Sequence, residues 1–279
     1  DQPVTEAINH PVGHVTRALL HFWFRREPTD NQGLPDDLKL LFSMLCDKQV
    51  EQYRHARVLL ASHLIPLFRV DREWAEEFLL PLFDWQLSET EAGAAWEGFL
   101  WSPRLYRPVL AAFKVSLLET AHHYDELGEH ARQYAAFLTY AALDPADIFN
   151  APELHDAISA LPPEGLQESA RALVDAQEAA GEQGESYWDN RIVPFWHDIW
   201  PKSQKLATAA IADDLAHLCV AAGARFADAL KMVRPWLQPI PHPHYIVRLL
   251  GESTLCSRFP EDALELLSAL IDDQSWVSS

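Results

Sequence analysis

The sequence predicts an all-α fold, arranged as an irregular HEAT- or armadillo-like array of helices. Glycine is scarce, with only 10 in 279 residues, and the alternating β-branched pattern of strands is nearly absent. Apolar residues instead recur at spacings of three and four along almost the whole chain. Taken in pairs, the helices repeat about every 40 residues, close to the HEAT and armadillo spacing. No sharp repeat signature occurs, so a compact, non-repetitive all-α domain remains the alternative.

In the first part of the chain, the apolar stripes predict a series of helices joined by short connections. Asp71 is a predicted N-cap, and Ser88 with Glu91 matches a capping box. Proline is favoured at the first helical position, so the pair Ser102-Pro103 predicts another helix start. The predicted helices cover 15–26, 35–45, 50–68, 71–82, a segment from 88 onward, 102–128 and 131–143.

Ahead of residue 15, Pro11 and Gly13 predict a loop. His10 and His14 flank these residues at the four-residue spacing of ligands on a helix. Because the segment is expected to be a loop, we interpret this pair as a capping or packing feature rather than as a metal site.

The second part of the chain continues the helical pattern. A cap is predicted at 144–147, and Pro162-Pro163 interrupts the pattern at 151–180. The polar, small-residue segment 178–185 predicts a hinge. It divides the chain into a helical array at 1–183 and a C-terminal helical subdomain at 184–279, with one continuous solenoid as the alternative. The later predicted helices cover 211–222, 224–236, 246–250 and 260–271, around a proline-rich loop at 239–243.

Composition excludes several classes of protein. The net charge of −19 repels phosphate backbones and disfavours nucleic acid as a partner. Cys46, Cys219 and Cys256 are widely separated and odd in number, which indicates buried, reduced thiols in a cytoplasmic protein. No stretch approaches the ~20 apolar residues of a membrane span, and no signal peptide is visible. The chain begins Asp-Gln-Pro, and we expect it to be part of a longer protein.

Motifs for catalysis are weak throughout the sequence. The phosphate-binding loop, the dinucleotide turn, the nucleophile elbow and HExxH are all missing. His-Asp doublets begin at His155 and His197, but no further ligand stands at a diagnostic spacing. Arg57 with His63 and Arg191 with His197 match R-x5-H, the loose motif of helical HEPN-type ribonucleases. Chance alone gives roughly two such matches in this composition, so we assign no catalytic residue, metal or cofactor and keep the ribonuclease as the alternative.

The stretch 187–203 contains three of the ten tryptophans: Trp188, Trp196 and Trp200. Large aromatic side chains at helical spacing favour a buried core. The same indoles, with Arg191 and Lys202 beside them, are also typical of an interface. Core is the favoured interpretation, with most of the indole face packed on the predicted helix at 211–222, but both remain open. His242 and His244, from the segment 242–247, complete the candidate interface residues.

Six segments together resemble the C-terminal helical region of large bacterial anti-phage defence proteins. They are 54–62, 80–85, 98–106, 187–203, 242–247 and 255–260. That region is catalogued as a domain of unknown function, and the proteins often carry a sirtuin-like, NAD-consuming domain at the N-terminus. The resemblance implies a sensing, scaffolding or assembly role. It implies a protein partner, either a phage component or another subunit, and allows a homo-oligomer of the full-length protein. It implies neither a catalytic residue nor a cofactor in these 279 residues.

Overall fold

A computed structural model describes residues 3–144 and 148–271. Within these two ranges every regular element is helical and no strand occurs, so the predicted all-α class is confirmed. The HEAT- or armadillo-like repeat stays a prediction. The predicted cap at 144–147 falls partly on residues outside the described ranges. Among the described residues, no helix combines the length and the apolar character that crossing a membrane requires.

The described α-helices of the first half alternate with short connections. They are α1 (Pro3–Asn9), α2 (Pro11–Phe24), α3 (Asp36–Leu45), α4 (Arg54–Ala61), α5 (Leu64–Val70), α6 (Arg72–Trp74), α7 (Glu89–Leu100), α8 (Arg107–Ala112), α9 (Lys114–Glu119) and α10 (Ala131–Leu143). Tighter 3-10 turns lie at Glu51–Tyr53, Leu80–Phe83 and Thr120–His130, and a wider π turn at Ala75–Leu79.

The described α-helices of the second half are likewise joined by short connections. They are α11 (Ala151–Ala160), α12 (Pro163–Ala179), α13 (Gly184–Tyr187), α14 (Ala209–Ala221), α15 (Phe226–Val233), α16 (His244–Glu252), α17 (Leu255–Arg258) and α18 (Pro260–Leu270). The 3-10 turns are Gly181–Gln183, Gln204–Leu206, Gly223–Arg225 and Arg234–Trp236, and the π turns are Trp188–Ile192 and Phe195–Ile199.

The chain divides into two compact units, Asp1–Tyr134 and Ala135–Ser279. The boundary predicted at 183/184 lies instead inside the second unit. Gly181, with φ of 52°, turns the chain there between α12 and α13. Across this turn, Gln177 Nε2 donates a hydrogen bond of 3.0 Å to the Gly184 carbonyl. The polar segment 178–185 is therefore a hydrogen-bonded turn within one unit.

The first unit begins with two helices where the sequence predicted a loop. Pro11 opens α2, because a proline in the first turn withholds no amide that the helix needs. His10 caps α2, with its Nδ1 accepting a 3.2 Å hydrogen bond from the Val12 amide. The capping interpretation of this histidine is thus confirmed, whereas the predicted loop at Pro11 and Gly13 was wrong.

Two of the other predicted helix starts also differ in detail. Ser88 Oγ accepts from the Glu91 amide at 3.3 Å, as predicted, but the Glu91 carboxylate pairs with Arg57. The start predicted at Pro103 was wrong, since α8 begins at Arg107 with Pro108 in its first turn. Asp71 behaves as predicted and caps the following helix by accepting from the Trp74 amide.

The core of the first unit is aromatic and tightly packed. Trp96 is fully buried, stacks on Phe113 with centroids 5.2 Å apart, and meets Phe83 edge-on at 5.1 Å. Helix α7 approaches α4 so closely that a Cβ on Gly98 would lie 2.3 Å from the Val58 carbonyl oxygen. Only glycine permits this contact between the two helix backbones.

The second unit is centred on the packing of α12 against α14. The predicted apolar face of α14 is fully buried, with Ile211, Leu215, Leu218 and Cys219 at 0% exposure. Cys219 is therefore a buried free thiol, as expected. Cys46 is likewise buried in the first unit, but Cys256 is exposed, which corrects the expectation that all three are buried.

Candidate functional site

The tryptophan-rich stretch forms two consecutive π turns, Trp188–Ile192 and Phe195–Ile199, on either side of Pro194. Proline lacks an amide hydrogen and its ring crowds the preceding turn of an α-helix. The wider turns accommodate that ring, and the second closes with a 2.9 Å hydrogen bond from the Trp200 amide to the Phe195 carbonyl. Such π turns are rare and frequently occur at functional sites.

The indoles of this stretch belong to an aromatic cluster inside the second unit. Trp196 and Trp200 stack at 5.1 Å, and Trp236 meets them edge-on at 6.3 and 5.3 Å. Trp188 and Trp200 are each 1% exposed and Trp196 is 7% exposed. The stretch is therefore predominantly core within this chain.

The main neighbour of the second π turn differs from the expected one. We expected the indoles to pack on the helix at 211–222, which is α14. The second π turn instead packs mainly on α11. His155 contributes to this contact, with its Nδ1 at 3.0 Å from the Ile199 carbonyl oxygen. The π turn rotates the side chains relative to α-helical spacing, which explains why the sequence pattern indicated a different neighbour.

One side of the cluster opens to the surface as a groove of about 520 Å³. Trp188, Val193 and Trp196 line it from the tryptophan-rich stretch, and Asp228 and Met232 line it from α15. His197 and Lys231 add polar atoms to the lining. We call this feature the tryptophan groove. It combines apolar walls with charged groups, as ligand- and partner-binding grooves do.

Lys202 is held beside the groove rather than reaching outward. Its ammonium donates to the carbonyls of Trp196 and His197, at 3.0 and 2.7 Å. These carbonyls belong to the second π turn, whose carbonyl end carries partial negative charge. Lys202 therefore caps the carbonyl end of this turn, a role that the sequence did not indicate.

The R-x5-H pair of Arg191 and His197 is split between two cavities. Arg191 lines a separate cavity of about 230 Å³ with Asn190 and Asp198, whereas His197 lines the tryptophan groove. The two side chains thus do not line one common cavity. A phosphodiester would have to reach both at once for the proposed division of labour between arginine and histidine.

Arg57 is a structural residue. Its guanidinium pairs with Glu91 through two hydrogen bonds of 2.6 and 2.8 Å and donates to the Asp47 and Val50 carbonyls. His63 has its Nδ1 at 2.9 Å from the Leu59 carbonyl oxygen. The donors of Arg57 are therefore engaged inside the protein, which leaves this pair poorly suited to orienting a substrate phosphate.

His242 and His244 are exposed, with ring centroids 5.9 Å apart. Both lie close enough to Asp213 of α14 to act on it electrostatically, as does His217. Burial raises the pKa of Asp213, and the three histidines oppose that rise. Asp213 and His217 were not among the residues predicted from the sequence, although their spacing of four residues on one helix was a usable signal.

One group of side chains among the described residues has the geometry of metal ligands. Glu97, Glu129 and His130 each place a ligand atom within 4.8 Å of the others. These three residues form no sequence motif, since Glu97 stands 32 positions before Glu129, and none of them was predicted as a ligand. Neither His-Asp doublet belongs to this group.

No protein-family model matches this chain, and no curated protein or solved structure matches it either. The resemblance to the C-terminal region of anti-phage defence proteins therefore depends on the six sequence segments alone.

Proposed function

We propose that this chain is a non-catalytic helical module that binds a protein partner through the tryptophan groove. In this proposal it performs a sensing or scaffolding role in a cytoplasmic bacterial anti-phage defence protein. The observation that carries the binding role is the groove itself, a surface opening of about 520 Å³ with indole walls. The resemblance of six segments to the C-terminal region of anti-phage defence proteins is the basis for proposing a role in defence.

The composition of the groove favours a protein partner. Protein interfaces concentrate binding energy in buried aromatic anchors surrounded by polar groups. Here Trp188 and Trp196 are held rigidly by core packing, so their indoles lose little side-chain entropy when a partner side chain packs into the groove that they line. Met232 is half-buried on the opposite wall and, being flexible, adapts to the shape of the inserted group.

The negative charge at the groove indicates that the partner carries a basic residue. Asp228 is exposed at the groove, and the whole chain carries a net charge of −19. Asp189, also at the groove, is already paired with Arg225. We therefore expect the partner to insert an apolar side chain and to place a basic residue beside Asp228. The acidic field accelerates the approach of such a partner and repels RNA.

The alternative function is a ribonuclease of HEPN type. Arg57 is engaged with Glu91, and Arg191 and His197 line separate cavities. These contacts favour the binding module over the enzyme. The same purified protein distinguishes the two, because RNA cleavage that is lost in His197→Ala would support the enzyme and contradict the binding module.

The binding proposal is tested by placing a photo-crosslinking amino acid at Met232 in cells, with and without phage. A crosslinked protein is identified, purified and titrated against the wild type and against Met232→Glu and Val193→Glu. Both substitutions place a charge on an apolar wall, and each should weaken binding by at least about tenfold, or 1.4 kcal/mol.

Val247→Glu is the matched control, since Val247 is an exposed apolar residue of α16 in the same unit. It should leave the affinity unchanged. Equal affinity of the wild type, Met232→Glu and Val193→Glu would show that the groove is not the binding surface. Light scattering of the purified chain tests the homo-oligomer, in which the crosslinked partner would be a second copy.

A further inference from the structure

His130 is a buried histidine with an unusual environment. Its side chain is only 8% exposed, and neither ring nitrogen has a hydrogen-bond partner among the described residues. Trp101 covers it edge-on, with ring centroids 5.8 Å apart. A buried polar group without a partner costs free energy, so each such group in a native protein calls for an explanation.

Two carboxylates face this histidine. Glu129 has its Oε1 at 3.9 Å from His130 Nε2, too far for a hydrogen bond. Glu97 of α7 is buried, and its Oε1 accepts a 3.2 Å hydrogen bond from the Val4 amide of α1. Burial raises the pKa of Glu97 despite this hydrogen bond. Two acidic groups therefore lie beside one imidazole, whose own pKa is lowered by burial.

The backbone brings these groups together through Gly128. Its φ of 55° and ψ of −130° interrupt the helical path just before Glu129 and His130. This conformation favours glycine, because a Cβ would be strained there. The turn directs the two residues back towards the C-terminal part of α7, where Glu97 lies.

We propose that Glu97, Glu129 and His130 form a binding site for a divalent first-row transition cation, Zn²⁺ or Mn²⁺. One imidazole and two carboxylates are a donor set typical of such ions, while Ca²⁺ and Mg²⁺ prefer oxygen ligands alone. The two carboxylates balance the charge of the cation, and the cation would satisfy one ring nitrogen of His130.

The three ligand atoms already lie within 4.8 Å of one another. Metal–ligand bonds of about 2.1 Å place ligand atoms roughly 3.4 Å apart in a tetrahedron. Glu129 therefore has to move towards His130 by about 0.5 Å, which its half-exposed side chain permits. Three protein ligands leave a fourth position for water or for another ligand, and the exposed side of Glu129 provides access.

The site is tested with protein treated with a chelator and then titrated with ZnCl₂, MnCl₂ or MgCl₂ by calorimetry. We expect one equivalent of Zn²⁺ or Mn²⁺ to bind and to raise the Tm, because the ion binds only the folded state. Mg²⁺ should bind at least about tenfold more weakly. The absorption spectrum of bound Co²⁺ then reports the ligand environment directly.

Glu129→Gln and His130→Gln should each weaken binding by at least about tenfold. Glu129 is half-exposed, so its substitution should leave the circular dichroism spectrum unchanged and separate loss of the ligand from loss of the fold. The matched controls are Glu126→Gln and His123→Gln, a pair on the same segment at 3.8 Å from each other. They should bind the ion as the wild type does.

Absence of Zn²⁺ and Mn²⁺ binding by the wild type would overturn the proposal. Undiminished binding by Glu129→Gln and His130→Gln would overturn it as well, by assigning the ion to other residues. This site belongs to the first unit and does not depend on the tryptophan groove, so either proposal can fail without the other.

Discussion

The indoles of Trp196 and Trp200 stack almost parallel, with centroids 5.1 Å apart and planes inclined by 11°. They differ in what they face. Trp200 is enclosed by the core, whereas Trp196 also lines the tryptophan groove. One residue of the pair therefore stabilises the unit, and the other connects that core to the surface that we propose for binding.

Replacing Trp200 by alanine should destabilise the protein by about 3–5 kcal/mol, because it removes a fully buried indole and leaves a cavity. That loss corresponds to a fall in Tm of roughly 10 °C, measured by thermal unfolding. Trp101→Ala is the control of equal size, since Trp101 is 53% exposed. A similar small fall for both variants would mean that the stretch is not core.

Gly98→Ala should destabilise the first unit by about 1–3 kcal/mol through overpacking, because the new methyl group would meet the Val58 carbonyl. Gly93→Ala, in the same helix, is the matched control. Its methyl group would make ordinary contacts, the nearest at 3.5 Å, and alanine favours the helix by about 0.5–1 kcal/mol. The denaturant concentration at the midpoint of unfolding should therefore fall for Gly98→Ala and rise for Gly93→Ala. A higher midpoint for Gly98→Ala than for the wild type would contradict the close approach of α4 and α7.

Arg57→Met should cost about 3–5 kcal/mol, because it leaves the Glu91 carboxylate and two carbonyls without their buried partner. Adding Glu91→Gln should cost less than the sum of the single changes, which a double-mutant cycle measures. Arg26→Met breaks the exposed pair with Asp37 and should change stability little. If Arg57→Met unfolds no more easily than Arg26→Met, the structural role assigned to Arg57 is incorrect.

The partly buried carboxyl group of Asp214 predicts that the stability of the protein depends on pH. Burial raises the pKa of this carboxyl to about 6, with Asp213 adding to the rise and the hydrogen bond from Gln167 opposing it. The folded state therefore binds its proton more tightly than the unfolded state, whose pKa is about 3.9. Stability from this group is present below pH 4 and is lost as the pH rises towards 6.

Asp214→Asn should accordingly be more stable than the wild type above pH 6, and the difference should vanish near pH 4. A shift of two units sets an upper limit of about 3 kcal/mol, which partial solvent screening reduces. Thermal unfolding from pH 4 to 8 measures the effect. Asp228→Asn, at an exposed position, should show no such gain, and a pH-independent gain at Asp214 would exclude titration as its cause.

Local chemistry made much of the fold predictable. Apolar spacing indicated the all-α class and the buried face of α14, and the N-cap at Asp71 followed from its side chain alone. These features depend on residues within a few positions of one another. The helix start at Pro11 was missed because this proline was interpreted as part of a loop, whereas it stands in the first turn of α2.

The sequence by itself determined the helical class, the apolar character of the tryptophan-rich stretch and the acidic field around the protein. Tertiary structure alone decided which neighbours these residues meet. In the folded protein Arg57 forms an ion pair with Glu91, Arg191 and His197 line two different cavities, and Glu97 lies next to His130. The physical reason is that periodicity encodes which face of a helix is buried, whereas the groups that face each other depend on π turns, glycine turns and close helix contacts that form only in the folded chain.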